Sequence, residues 1–172
     1  RGTLNNYGTI TTNRKTVNGS DIENTGTINN YGNIDLDLTK NGANGLSNGG
    51  VFNNYGNFVV KGKNGWAVNS FYGSKFFNAD NGYVELVAGT GGLGWFDQGS
   101  TVVNEGVFKV IAKDASCMMV VDFTNSGTVY AVGEEGGSKG NYFLEVFKKF
   151  TNTENGIVNA EGGEVLGVRI YE

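Results

Sequence analysis

The chain has no proline, no histidine and a single cysteine among its 172 residues. Each absence closes a class of explanation. Without histidine there is no Ser-His-Asp or Cys-His catalytic arrangement, and most transition-metal sites lose their commonest ligand. The one thiol, Cys117, excludes an internal disulfide framework. No apolar run approaches the ~20 residues of a membrane-spanning helix, and no secretory leader pattern is visible. Positive charge is sparse as well. Thirteen Lys and Arg against 17 Asp and Glu leave a net charge of −4 with no basic stripe, so nucleic acid is not an expected partner. Neither a metal nor a cofactor is expected. GTGGLG (89–94) lacks the Gly-Lys-Ser/Thr ending of a phosphate loop and opens no helix, so it reads as a turn.

What the chain has in excess is Gly (29) and Asn (24), together nearly a third of all residues. Such a composition can signal disorder, but 12% aromatic residues and regular Val, Ile and Phe argue for a packed core. NNYG occurs at 5–8, 29–32 and 53–56, inside a longer pattern, apolar-x-Asn-x-Gly-x-apolar. LNNYGTI (4–10), IENTGTI (22–28), INNYGNI (28–34), FNNYGNF (52–58), VVNEGVF (102–108) and FTNSGTV (123–129) fit it. FFNADNGYV (76–84) and FTNTENGIV (150–158) share a variant with two extra residues. Gly8, Gly32, Gly56, Gly82, Gly106, Gly127 and Gly156 then lie 24, 24, 26, 24, 21 and 29 residues apart.

Apolar residues after each Gly alternate with period two. Ile34, Leu36 and Leu38 alternate with Asp35 and Asp37, and Val84 and Leu86 with Glu85 and Val87. This is a strand with one buried face. Gly or Asn interrupts nearly every ten-residue window, which argues against helix. A β-sandwich would not return the same turn chemistry in register, whereas a coiled solenoid does. The expected fold is therefore all-β: a right-handed parallel β-helix of about seven coils, one segment over 1–172, with each N-x-G a corner. Stacked coils let Asn6, Asn30, Asn54, Asn78, Asn104, Asn125 and Asn152 form a hydrogen-bonded corner ladder, because an amide both donates and accepts. Asn tolerates the left-handed backbone that a corner can need, and the Gly supplies positive φ or room between coils. Residues four before and two after each Gly, including Phe52, Phe58, Phe123 and Val129, are expected inside.

The slot between Asn and Gly is expected outside. It holds Tyr7, Tyr31 and Tyr55 in three successive coils and the polar Thr25, Glu105 and Ser126 elsewhere. Three rings along one edge read either as a stack that stiffens the corners or as a strip that binds a sugar or protein. Other candidates for chemistry read as structural. Cys117 shares the parity of Met119, Val121 and Phe123 and reads as a small buried hydrophobe. Asp35 with Asp37, and Glu134 with Glu135, read as solvated charge. Asp97 and Glu145 each precede a motif Asn by seven residues, but a coil lies between them, and Ser47, Phe71 and Met118 hold that position elsewhere. That is not the gathered carboxylate pair of a glycan-cleaving β-helix.

Asn-Gly-rich coils reading N-x-G-x-apolar, in a chain nearly free of Cys and Pro, resemble the passenger β-helix of Gram-negative autotransporter (type V secretion) adhesins. The filamentous haemagglutinin-like exoproteins are similar. The resemblance is one of repeat style across essentially the whole chain, and it carries no catalytic motif. It implies a fragment of a longer secreted passenger, exported through the outer membrane and displayed at the bacterial cell surface or in the extracellular space. Its implied partners are the rest of that passenger, an outer-membrane barrel, and a host-cell surface protein or glycan. Cysteine poverty fits this route, since a disulfide formed in the periplasm would obstruct export. The alternatives are a polysaccharide-degrading β-helix enzyme and a purely structural stalk.

Overall fold

The computed structural model describes residues 2–12, 19–39, 44–62, 65–88, 92–112, 118–133, 144–161 and 168–171. Among them every regular element is a strand. The first passage holds β1 (Thr3–Asn6), β2 (Thr9–Thr12) and β3 (Ser20–Asn24). The second holds β4 (Thr27–Asn30), β5 (Asn33–Asp37) and β6 (Asn44–Asn48); the third β7 (Val51–Asn54), β8 (Asn57–Lys61) and β9 (Val68–Ser70). β10 (Lys75–Asn78), β11 (Tyr83–Ala88) and β12 (Gly94–Phe96) follow, then β13 (Thr101–Asn104) and β14 (Val107–Ala112). β15 (Met118–Asn125) continues from one wall of the solenoid into the next, as does β17 (Leu144–Asn152). β16 (Thr128–Gly133), β18 (Ile157–Glu161) and β19 (Val168–Ile170) complete the chain.

The strands stack in parallel into three walls. One is a seven-stranded sheet in the order β18-β16-β14-β11-β8-β5-β2. The other two, β1-β4-β7-β10-β13 and β12-β9-β6-β3, join through β15. The result is an all-β parallel solenoid with a period near 24 residues and about five turns. The expected seven coils are reached only by counting the first and last passages, whose outer sides carry no further strand among the described residues.

Rows of like residues fill the interior. Ile28, Phe52, Phe76, Val102 and Phe123 align on one wall, and Ile34, Phe58, Val84, Phe108 and Val129 on another; all are buried. The Phe52 ring lies 4.7 Å from Phe58 and 5.0 Å from Phe76 between centroids. Inward positions of the first and last passages are less covered: Leu4 is 45% exposed, and Ile10 and Phe150 are half-buried. A residue in the end row has packing partners on one side only.

The structure corrects two local expectations. Along β15 the inward residues are Met118 and Val120, then Phe123 and Asn125, with the register slipping between Val120 and Asp122. In that slip Phe147 and Lys148 of β17 together face Val121, so the extra residue belongs to β17. β15 itself turns Val121 and Asp122 outward in succession where it passes from one wall to the next, which reverses its parity. Met119 and Val121 therefore face out and stand half-buried, so the parity that pointed Cys117 inward does not hold across the strand. Cys117 itself lies outside the described residues.

The second correction concerns the corners. Among the described residues positive φ occurs only at Gly19, Gly73 and Gly99, so neither the corner Asn nor its Gly adopts the left-handed region. The Gly is there for room. A Cβ on Gly32 would lie 2.1 Å from the carbonyl oxygen of Gly8, and one on Gly56 would lie 2.2 Å from that of Gly32. Successive coils touch backbone to backbone at this point, where no side chain fits. Gly8, in the first passage, meets nothing within 4 Å. Gly56→Ala should therefore lower stability by at least ~1–3 kcal/mol, as overpacking does, while Gly8→Ala should leave the melting temperature nearly unchanged. Denaturant melts of the two variants check this; equal effects would remove close approach as the reason for the corner glycine.

Candidate functional site

The residues singled out above meet at one edge of the solenoid. Asn6, Asn30, Asn54, Asn78, Asn104 and Asn125 each donate from Nδ2 to Oδ1 of the next, over 2.7 to 2.8 Å, ending on Asn152. The amides also serve the backbone. Asn30 donates to the Asn57 carbonyl at 2.9 Å and Asn54 to that of Tyr83 at 3.1 Å, while the Gly8 amide donates to Asn6 Oδ1 at 3.2 Å. The oxygen faces an N–H and the nitrogen a carbonyl, which fixes the amide orientation. Asn30, Asn54, Asn78, Asn104 and Asn125 are fully buried, a position a polar side chain holds cheaply only when every group is paired. The extra residues of the two variant corners follow Asn78 and Asn152 and leave the ladder continuous.

Further Asn–Asn bonds between coils lie outside that row, Asn57 donating to Asn33 at 2.8 Å among them. Asn29 donates to Asn5 and Asn53 to Asn29, each at 2.8 Å, along the outer side of the same wall, and their donors point opposite to the inner row. The doubled Asn of NNYG was the signal. IENTGTI, moreover, is not another copy of the same corner. Asn24 stands at the preceding corner of its turn, where it donates to Asn48 at 2.7 Å and accepts from the Gly26 amide at 3.0 Å. One turn thus carries N-x-G at two of its bends. Asn54→Ala should cost ~1–3 kcal/mol, because the amides of Asn30 and Asn78 lose a buried partner. Asn152→Ala, at the exposed end of the row, should cost less; the difference in melting temperature is the measurement.

The tyrosine slot lies outside this ladder. Tyr7 and Tyr31 stack at 4.9 Å and 6°, and Tyr31 and Tyr55 at 4.8 Å and 8°. The spacing is that of the strands themselves. Exposure falls along the row, from 75% at Tyr7 to 44% at Tyr31, and Tyr55 is half-buried rather than fully outside. Phe77 packs against Tyr55 edge-on, with the ring centroids 6.1 Å apart. The stack ends because the next corner has two extra residues and puts the buried Ala79 after its Asn. The ring faces are thus largely taken by one another, and the strip offers solvent a row of ring edges and hydroxyls.

The charged candidates fall apart in space. Glu145 stands in register with Met119 and through it with Trp95, not with Asp97, and accepts a hydrogen bond from the Tyr171 hydroxyl at 3.0 Å. Asp35 is exposed, whereas Asp37 is half-buried and accepts from the Thr39 amide at 3.0 Å. Glu134 and Glu135 lie outside the described residues, as do the first three residues of GTGGLG. Its later part packs as structure: Leu93 is buried, and a Cβ on Gly92 would fall 1.7 Å from the Trp66 ring.

One titrating group outside these candidates is displaced. Burial, then a hydrogen bond and negative charge from Glu85, push the Tyr83 phenol from 10.0 up to about 12. Lys109 pairs with the same carboxylate at 3.4 Å. The folded state holds the phenolic proton more tightly than the unfolded chain. The stabilisation is therefore whole below pH 10 and is lost as pH rises toward 12. Tyr83→Phe should flatten that part of the stability profile, and ultraviolet titration should show one fewer late phenol.

No family model matches the chain, and no curated protein or solved structure matches it.

Proposed function

We propose that this chain is a non-catalytic segment of a bacterial cell-surface exoprotein, a rigid β-helical rod that serves attachment to a host-cell protein or glycan. The observation that carries the reading is the unbroken amide ladder from Asn6 to Asn152 with aromatic side chains presented outside it. Such a ladder ties each turn to the next, so outward groups keep fixed spacing along the rod. Right-handed winding of about seven coils belongs to the same proposal, since parallel strands joined by crossovers in one sheet are overwhelmingly right-handed. The repeat style supports export through the outer membrane as part of a longer passenger with its own barrel. The scarcity of cysteine supports that route too.

A stalk that holds another segment away from the cell is the second reading. It is favoured by the stacking of Tyr7, Tyr31 and Tyr55 on one another, which stabilises corners by ~0.5–1.5 kcal/mol per pair and hides the faces a sugar would stack on. Replacing all three tyrosines by Ser separates the two. On the attachment reading, binding to host cells or a glycan array falls while the melting temperature holds. Lost stability with intact binding assigns the tyrosines to the corner ladder and moves any attachment elsewhere. A fragment that binds neither cells nor glycans supports the stalk.

A further inference from the structure

A groove of about 220 Å³ opens on the outer side of the wall formed by β12, β15 and β17. Trp95, Phe96, Met119, Val121 and Phe147 line it, with Asp97 and Gln98. Nearly all of that lining is apolar. Trp95 and Phe147 remain 38% and 42% exposed, so both rings show surface to a ligand. Both are also braced. Trp66 meets Trp95 edge-on at 5.8 Å, and Gly92 leaves the space that Trp66 occupies. Phe147 stacks on Tyr171 at 4.7 Å and 5°, and the Arg169 guanidinium lies over Tyr171 at 4.7 Å. The outward side of β15 supplies Met119 and Val121, and Phe147 is one of the two β17 residues that face Val121 where the register slips.

We infer that this groove binds a quaternary ammonium group of the choline type. The charge it contains is a carboxylate, Asp97, which forms no ion pair among the described residues, and Glu145 stands beside Met119 in register. Aromatic faces attract a cation through their quadrupoles. A primary ammonium would lose strong hydration in so apolar a groove, whereas methylated ammonium presents hydrocarbon to the rings and keeps its charge. A sugar would find few partners for its hydroxyls here. The volume is below the ~300–1,000 Å³ usual for drug-sized ligands, so the occupant is compact. This site lies on a different wall from the tyrosine strip and does not depend on that strip binding anything.

The test is a tryptophan-fluorescence titration of the protein at fixed ionic strength with choline, tetramethylammonium, glucose and 3,3-dimethyl-1-butanol. The last has the shape of choline without its charge. Choline and tetramethylammonium should saturate, with the neutral analogue about tenfold weaker or more, the scale of a desolvated cation–aromatic contact. Asp97→Asn should weaken choline several-fold and leave the neutral analogue unchanged, and Phe147→Ala should abolish both signals with the circular dichroism unaltered. Equal affinity for choline and its neutral analogue overturns the proposal, because the groove is then merely apolar. So does saturation by glucose alone, or no choline binding by the intact fold.

Discussion

A buried amide has to find partners for two protons and a carbonyl oxygen, and in a stack of identical coils the nearest partner is its own copy one coil away. Parallel strands set that distance, and Asn spans it with bonds of 2.7 to 2.8 Å. From this one match other features follow. The coils must approach closely enough at the corner for the amides to meet, which brings backbones into contact and leaves room only for glycine at Gly32, Gly56, Gly106 and Gly127. The same pitch lays tyrosine on tyrosine at 4.8 to 4.9 Å and phenylalanine near phenylalanine inside. A single coil could not hold any of these, since each interaction has its other half in a neighbour.

The ladder also explains which irregularities the fold tolerates. Extra residues are carried after Asn78 and Asn152, while the amide row runs on through Asn78 to Asn104 and reaches Asn152, its last member. The shortened turn before Asn125 is absorbed where β15 runs directly from one wall into the next, and Asn104 still reaches Asn125 at 2.8 Å. Period is thus not what the structure conserves along its length; the meeting of amides is. Spacings of 21 to 29 residues are compatible with one fold because the slack is taken up between corners.

What could be read from the sequence follows the same division. The inner rows were legible because every turn repeats them: Asn at the corner, Phe or a branched aliphatic four before the Gly and two after it. The second N-x-G corner was harder, because the pattern reports local chemistry and Asn24 and Asn30 satisfy it equally, six residues apart, at different bends of the same turn. Parity through SCMMVVDF misled for a physical reason: two successive outward residues, Val121 and Asp122, invert the alternation on one side of them. The Trp95 groove gave no signal at all. Its residues come from three strands and share neither spacing nor type.

That contrast bears on where function resides in such a rod. The row Glu23, Ser47, Asn69, Trp95, Met119, Glu145, Arg169 follows strand register across successive coils and yet places no two like residues on adjacent coils. Nothing in the stacking constrains it, since the inner amides and apolar rows already hold the coils together. A repeat fixes the scaffold and frees its outer walls to differ coil by coil. Room for differing chemistry lies where repetition fails, and in this chain the Trp95 groove lies beside the register slip between β15 and β17. The slip is tolerated because the ladder bridges it, Asn125 still meeting Asn152 at 2.8 Å, so the interaction that makes the rod uniform inside is also what permits a local, non-repeating surface outside.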